Sequence, residues 1–378
     1  MITPRSAPPR PTTADAAVVR ATRWRVEEVQ PAATRDELID FFWEQRHWPY
    51  STREEYLRAW EWRHESLGDA SARVWIAREE SQGEIVGHIA VYPRRFRFQG
   101  RDLAVGVPGN FLVRADHRNS LIGPRLAAGL RRLVSDGELD LVLAYGNPAA
   151  HQMFSRLGFR ALGRMHEFLD VRRSATILRR YSGAAAAAAP IVDAALAARR
   201  WWRNGLRPRS VRNLHAREVG VAEVKGLDRS HWSEPRDQIV GAATGQYLAS
   251  RFLQAPFSDY RIVGIFDRSN AVQALVAINV RRRVKILECV TNPDALDVAS
   301  AIDIAVRTLP NAHAVLIPLL PGSHVARELR EYGYFAREPR DPVTARSWWS
   351  AYWRDDHPLV NDLSETARWT LLFGATHY

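Results

Sequence analysis

Along the first 170 positions the spacing of apolar residues switches between two periods. Leu38, Phe41 and Phe42 recur at helical spacing behind Thr34 and Asp36, whose side-chain oxygens suit a helix start, so the pattern predicts a helix over Thr34–Gln45. A second helix is predicted over Arg53–His64. The period then shortens to that of strands, giving Arg73–Arg78, Ile85–Tyr92, Arg94–Gln99 and Leu103–Val113, with turns at Gly83 and Gly100. A helix over Ile122–Ser135, a strand over Leu139–Tyr145, a helix over Ala149–Leu157 and a strand pair within Phe159–Val171 complete the run.

The pattern repeats. Arg73 opens an apolar strand that passes through a polar turn into Ile85–Val91, and Arg261 opens another that passes into Val272–Asn279. Trp62-Arg63 precedes the first by ten residues and Arg251 precedes the second by the same interval, while Leu157-Gly158-Phe159 is echoed by Tyr332-Gly333-Tyr334. Ordered similarity of this kind reads as tandem duplication of one α/β (α+β) fold. The chain of 378 residues is long enough for two such units. We divide it into a tail at 1–22, a first domain at 23–172, a connector at 173–217 and a second domain at 218–378.

Composition adds three constraints. The tail carries four prolines and no apolar core, so it reads as a disordered extension and not as a signal peptide. The longest apolar-looking run, Ala184–Ala198, is mostly alanine and contains Pro190 and Asp193, so no membrane span is expected and a cytoplasmic location is the default. Cys289 is the sole cysteine, which excludes a disulfide framework and a thiolate metal site, and no metal is expected. The net charge of +11 is concentrated: Val171–Arg217 holds eleven arginines against one acid, Asp193. Such a segment attracts polyanions, whether nucleic acid, anionic lipid or a charged substrate, or is simply a solvated connector. It is predicted to contain one helix, Ile191–Asn204, stopped by Gly205 and Pro208.

The chemistry is concentrated in two stretches. The first runs Phe111-Leu112-Val113 as a strand end, then Arg118-Asn119-Ser120-Leu121 as a polar turn, then Ile122-Gly123-Pro124-Arg125-Leu126 as a helix start. Proline suits a first helical turn, and free backbone N–H groups with the helix dipole then face the turn, a geometry that binds pyrophosphate. Gly123 would admit backbone close to phosphate oxygens, and Arg118 and Arg125 add positive charge. The second stretch is Asn147, Ala150, Met153, Phe154, Gly158 and Phe159. Here the sequence resembles the GNAT superfamily of acyl-CoA-dependent N-acyltransferases. The family's cradle, Arg/Gln-x-x-Gly-x-Gly/Ala, is matched at Arg118 and Gly123, with Leu121 in place of the first glycine; the family's Asn-x-x-Ala-x-x-(Leu/Met)-Tyr-x-x-x-Gly-Phe is matched except that Phe154 replaces the tyrosine.

The resemblance implies two GNAT-like domains, each a mixed, mostly antiparallel sheet flanked by helices. It implies acetyl-CoA or another acyl-CoA as co-substrate, held in the first domain by Leu112, Val113, Arg118, Asn119, Ser120, Leu121, Ile122, Gly123, Arg125, Asn147 and Phe154. Asn147 would bond the pantetheine arm. In many members the tyrosine of the second motif protonates the departing thiolate; Phe154 cannot, so Tyr145 and His151 are the candidate acids nearest in sequence. His88 and His117 are candidate bases, and Asn110 could orient a water. The second domain has Cys289–Asp297 where the cradle would be, with Asp294 and Asp297 placed to repel phosphate, so it is expected not to bind CoA and to form a wall of the substrate cleft.

Three function classes follow. The first is an N-acyltransferase acting on a small amine or amino sugar between the halves; the duplicated pattern looks like acyltransferases of bacterial polysaccharide or secondary-metabolite biosynthesis. The second is a Fem-like transferase using aminoacyl-tRNA, favoured by the arginine connector and opposed by the intact motif of the first half. The third is a non-catalytic CoA-binding scaffold, suggested by Phe154 and Leu121. The thirteen tryptophans read mainly as core and interdomain packing, with stacking on a sugar or acyl chain as the functional alternative.

Overall fold

The computed structural model describes residues 23–64, 72–179, 182–205, 213–229, 232, 237–257, 259–280, 284–309, 312–338 and 348–371. The expected tail at 1–22 lies outside them, as do Pro208 and its neighbours at the end of the connector. Two sheets organise the chain. In order, the strands are β1 (Trp24–Val29), β2 (Arg73–Glu79), β3 (Ile85–Phe98), β4 (Arg101–Val113), β5 (Leu141–Gly146), β6 (Arg160–Arg164), β7 (His166–Val171), β8 (His215–Glu218), β9 (Ile239–Gly241), β10 (Tyr260–Phe266), β11 (Val272–Val280), β12 (Val284–Thr291), β13 (Ala314–Leu319), β14 (Phe335–Arg337), β15 (Trp348–Trp353) and β16 (Trp369–Thr370). The helices used below are α1 (Arg35–Glu44), α2 (Arg53–His64), α3 (Ile122–Ser135), α4 (Pro148–Arg156), α5 (Ala189–Gly205), α6 (Val298–Arg307) and α7 (His324–Glu331).

The first sheet runs β1-β2-β3-β4-β5-β15-β6, with β9 and β16 added beside β3; the second runs β14-β7-β13-β12-β11-β10-β8. Read by position, the two are the same sheet twice, and each has borrowed its penultimate strand from the other half. β15, late in the chain, pairs antiparallel with β5 and β6 of the first sheet. β7, early in the chain, pairs antiparallel with β13 and β14 of the second.

The division at 172 therefore does not coincide with the division between the sheets, and the strand pair expected within Phe159–Val171 is not a pair. The cause is local. Only Met165 separates β6 from β7. A hairpin needs about two residues at its turn, so the chain cannot reverse there and runs straight on from one sheet into the next.

Other departures from the sequence pattern also have local causes. The strands expected at Ile85–Tyr92 and Arg94–Gln99 are one continuous strand through Pro93. Proline is tolerated because β2 begins opposite Val91 and β9 joins only at Phe96, so Pro93 sits where that edge has no partner. β1, which the pattern analysis passed over, pairs antiparallel with β2 along its whole length. The connector helix starts two residues earlier than expected, with Pro190 in its first turn.

Equivalent residues meet where the halves touch. Trp62 Nε1 donates to the Ser250 carbonyl at 2.8 Å, and the guanidinia of the half-buried Arg63 and the buried Arg251 lie in each other's field. Trp62 and Ser250, like Arg63 and Arg251, are separated by the same length of chain as Arg73 and Arg261, so the contact is self-complementary about a pseudo-two-fold axis. Arg94 donates to the Tyr247 hydroxyl and lies 3.7 Å from the centre of its ring, which closes the junction.

Candidate active site

The site is built where β4 and β5 part. These strands pair in parallel only at Val105 with Leu141 and at Gly106 with Val142. Beyond that point β4 turns away, because a bulge opposite His88 and Ala90 sets two β4 residues, Asn110 and Phe111, against one β3 residue. Asn110 sits at the bend with φ of 52°. The facing edges of Val107–Val113 and Leu143–Gly146 are thus unpaired with each other, and they form the walls of a cleft.

Two glycines place helix N-termini at its mouth. A Cβ on Gly87 would lie 2.7 Å from Ile122 Cγ2 and 3.0 Å from Leu126 Cδ1, so the first turn of α3 rests directly on β3. A Cβ on Gly146 would lie 2.8 Å from the Ala150 Cβ, so α4 begins against the end of β5. Two N-termini with their unpaired N–H groups therefore stand on either side of the opening.

The turn before α3 has definite internal bonding. Arg118 Nε donates to the Val113 carbonyl at 3.3 Å, which pins the guanidinium over the strand end. The Ser120 hydroxyl donates to the His117 carbonyl at 2.6 Å and accepts from the Ile122 N–H at 3.2 Å. Leu121 has φ of −79° and an exposed side chain, so its backbone sits in a region open to any residue and no glycine is required there. Asn119 and Leu121 are surface residues of the turn. Arg125 is exposed on the outer face of α3, with its guanidinium 4.9 Å from the centre of the Trp24 ring.

Other expected contacts are placed differently. The Ile122 side chain is fully buried under Gly87, leaving only its backbone at the turn. Gly123 is buried too, and a Cβ on it would point at Phe111 and Met153 at 3.4 and 3.5 Å, toward the inner wall and not toward the phosphate turn. Phe154 is buried between Phe111 and Phe159, where it packs α4 on β4. Leu112 packs against the core on the α1–α2 face of the sheet. Asn147 caps α4: its Oδ1 accepts from the Ala150 N–H at 2.9 Å, leaving its amide NH₂ as the group that can address a ligand.

The two candidate acids lie on opposite faces. Tyr145 alternates with Leu141 and Leu143 on the face covered by α1 and α2, and its ring is 5.0 Å from that of Trp349. His151 faces the other way. Its ring stacks on Trp348 at 4.4 Å and its Nδ1 is 2.7 Å from the Ser350 hydroxyl, so the exchanged strand β15 draws it away from the β4–β5 gap. Partial burial also lowers its basicity.

Under the bulge lies a polar chain that the sequence did not reveal. Trp48 Nε1 donates to Asn110 Oδ1 at 3.2 Å, Asn110 Nδ2 donates to the Tyr92 hydroxyl at 2.8 Å, and Tyr92 pairs with His64 Nε2 at 3.1 Å. Asn110 is thus fully engaged as a brace. His88 donates from Nδ1 to the Asn110 carbonyl at 2.8 Å, and burial pushes its pKa down to about 4. His64, stacked on Trp60, is held well below its ordinary value by burial and by the nearby His88 and Arg63. Both imidazoles are therefore neutral near pH 7. His117 turns away from the cleft, toward Arg114 at 2.9 Å.

The second sheet repeats the parting: β12 and β13 pair in parallel only at Val284 with Val315 and at Lys285 with Leu316. Its cleft is lined differently. A cavity of about 530 Å³ is bounded by Glu288, Cys289, Asp297 and Glu328 of the second half and by Arg97 and Val240 beside the first sheet. Burial pushes both Glu288 and Glu328 up to about 7. Asp297 caps α6 through the Ser300 N–H at 2.7 Å. Arg97 lies ten residues along β3 from Gly87, so this cavity is roughly 30 Å at strand rise from the mouth of the first cleft. Among the described residues no three His, Cys, Asp or Glu side chains converge on a possible metal position, and no helix is long and apolar enough to cross a membrane.

Residues 35–159 match the sequence model of the acetyltransferase (GNAT) family. Among solved structures, a GCN5-related N-acetyltransferase from Kribbella flavida superposes with a TM-score of 0.52 at 15% identity, over 88% of this chain and 72% of its own. A conserved protein of unknown function from Enterococcus faecalis V583 gives 0.54 at 9% identity, over 88% and 73%. A GCN5-related N-acetyltransferase from Anabaena variabilis ATCC 29413 gives 0.54 at 11% identity, over 87% and 72%. Comparison with curated proteins finds no match. The fold is that of GNAT proteins, and the match to the family model lies in the first half.

Proposed function

We propose that the β4–β5 cleft binds an acyl-CoA and that the first half transfers its acyl group to a small amine or amino sugar. The observation that carries this reading is the parting of β4 from β5 after Gly106 and Val142, with the N-termini of α3 and α4 at its mouth. Unpaired strand edges suit the amides of a pantetheine arm, and the turn at 118–121 with its arginine suits a pyrophosphate. The residues fit that group: Leu121 takes up no space in the turn, Asn147 keeps its NH₂ available, and Arg118 is anchored by Nε alone with its terminal nitrogens left to meet phosphate. In the second half the corresponding cleft is lined by Glu288, Asp297 and Glu328 together with Arg97 and Arg229, a mixed lining unlike the turn at 118–121.

Transfer in such a cleft needs little from the protein beyond alignment, because a thiolate is a tolerable leaving group. The bulge brace of Trp48, Asn110 and Tyr92 fixes the wall against which the acyl carbonyl would lie. Tyr145 is the phenol that β5 presents beside the gap on the α1–α2 face, and we assign it as the candidate proton donor in place of the tyrosine that Phe154 replaces. His151, turned onto β15, is not given that role.

Calorimetry with acetyl-CoA should show one site per chain, abolished by Gly123→Glu, which drives a carboxylate against Phe111 and Met153 beneath the cradle. A folded protein that binds no acyl-CoA would end the proposal. Tyr145→Phe should lower kcat against an amine panel by about 10²-fold and leave acetyl-CoA affinity unchanged; an unchanged kcat would remove Tyr145 from the chemistry.

A further inference from the structure

The second cleft keeps the geometry of the first and changes its lining at matching positions. Gly158 and Gly333, with φ of 86° and 77°, each stand two residues beyond the end of a helix, α4 and α7. Counting back five residues from each gives Met153 in the first half and Glu328 in the second. Asn110 and Glu288 each lie three residues before the end of their strand, β4 at Val113 and β12 at Thr291, and each at a bulge. The methionine beneath the first cradle and the amide of the first brace are thus both carboxylates in the second half. The cavity that Glu288 and Glu328 line measures about 530 Å³ and has apolar walls from Val240, Ala243, Val290, Leu296 and Val298. Apolar walls with a few convergent polar groups, at this volume, are the usual form of a small-molecule site.

Several charges around this cavity are answered inside the protein. Asp297 accepts from the Ser300 N–H and hydroxyl, both at 2.7 Å, and Arg97 donates to Asp102 at 2.8 Å. One oxygen of Glu328 lies 3.0 Å from His324 Nε2. Two charges of opposite sign are left over. Glu328 Oε2 is buried without a hydrogen-bond partner. Arg229 is half-buried, and burial lowers its pKa with no acid among the described residues to offset it; its guanidinium lies 5.3 Å from the centre of the Trp232 ring. A carboxylate and a guanidinium in contact would form a strong pair. Here both line one cavity and stay apart, and unpaired polar groups of this kind call for a partner from outside the chain. We propose that the second cleft binds a small zwitterion of the α-amino acid class, with its ammonium on Glu328 and Glu288 and its carboxylate on Arg229. An amine alone would leave Arg229 unanswered, and an organic acid alone would leave the two glutamates so. The site stands apart from the first cleft and does not depend on acyl-CoA binding there.

The test uses the full chain. Thermal melts with each of the common L-amino acids at millimolar concentration identify a stabilising probe, and calorimetry with that amino acid gives its Kd. Its N-acetyl and methyl ester forms should each bind at least about tenfold more weakly, since each lacks one of the two charges. Glu328→Gln should weaken the free amino acid by a similar factor and leave the N-acetyl form unchanged. Arg229→Gln should remove the preference for the free acid over the ester. Unchanged circular dichroism verifies the fold of both variants. A chain that no amino acid stabilises would overturn the proposal. So would equal affinity for the free, N-acetyl and ester forms, or binding that neither substitution alters, which would place the amino acid outside the second cleft.

Discussion

Replacing Trp349 by alanine tests the strand exchange. By sequence the residue belongs to the second half; by structure it is fully buried in the core of the first sheet, against Tyr145. Emptying a site of that size costs about 3–5 kcal/mol. Its indole N–H has no hydrogen-bond partner, so its removal returns on the order of 1 kcal/mol and places the expected loss near the lower bound. Trp349→Phe, which removes the orphaned N–H and keeps most of the ring, should cost clearly less. Native-state hydrogen exchange read by mass spectrometry locates the damage. Protection should fall by about a hundredfold over Leu141–Gly146 and Arg160–Arg164, and less over Val284–Thr291 and Ala314–Leu319. Phe168→Ala, in β7, should show the mirror image, loosening β13 and β14. If Trp349→Ala loosens β12 and β13 more than β5 and β6, the exchange is wrong.

Other outcomes follow from the same geometry. His88 is held neutral, with its pKa near 4 in the folded chain against 6.5 unfolded, so its contribution is present above about pH 6.5 and is lost as pH falls toward 4. At 1.36 kcal/mol per unit this is roughly 3 kcal/mol, and His64 acts in the same direction; thermal melts across pH 7 to 4 should show a steep loss that His88→Gln flattens, and parallel curves would contradict it. Leu121→Gly restores the glycine of the family cradle. Because φ at 121 is already −79°, acetyl-CoA affinity should change by less than about twofold and stability should fall by under roughly 1 kcal/mol; a large gain in affinity by calorimetry would show that the leucine obstructs the turn.

Much of this was readable from the chain. The helical spacing of apolar residues gave the helices at 35–44, 53–64 and 122–135 nearly to the residue, and the helix expected at 149–157 stands at 148–156, with Asn147 as a cap that the spacing did not announce. What pattern could not give was partnership. β6 and β7 look like any hairpin in hydrophobicity, and only the single residue between them, Met165, hints that they cannot turn back. Pro93 looked like a strand break because its tolerance depends on a gap in the neighbouring strands. Gly123 keeps the family's glycine and Phe154 stands in place of its tyrosine, yet the atoms of both serve the inner wall, a matter of direction that spacing does not encode. The brace of Trp48, Asn110 and Tyr92 joins residues far apart in sequence and leaves no local signature.

The single-residue bridge at Met165 also sets an order of events for a chain made from its N-terminus. When residue 171 emerges, β5 has no neighbour on its outer side, and β7 belongs to a sheet whose other strands do not yet exist. The first half must hold that open edge until residues 348–353 arrive, while most of the second sheet assembles around β7. An unfilled edge of this kind invites pairing with other chains. The strand that fills this edge is thus the one that carries Trp348 and Ser350 to His151, and β5 gains its second neighbour only after residues 348–353 have been synthesised.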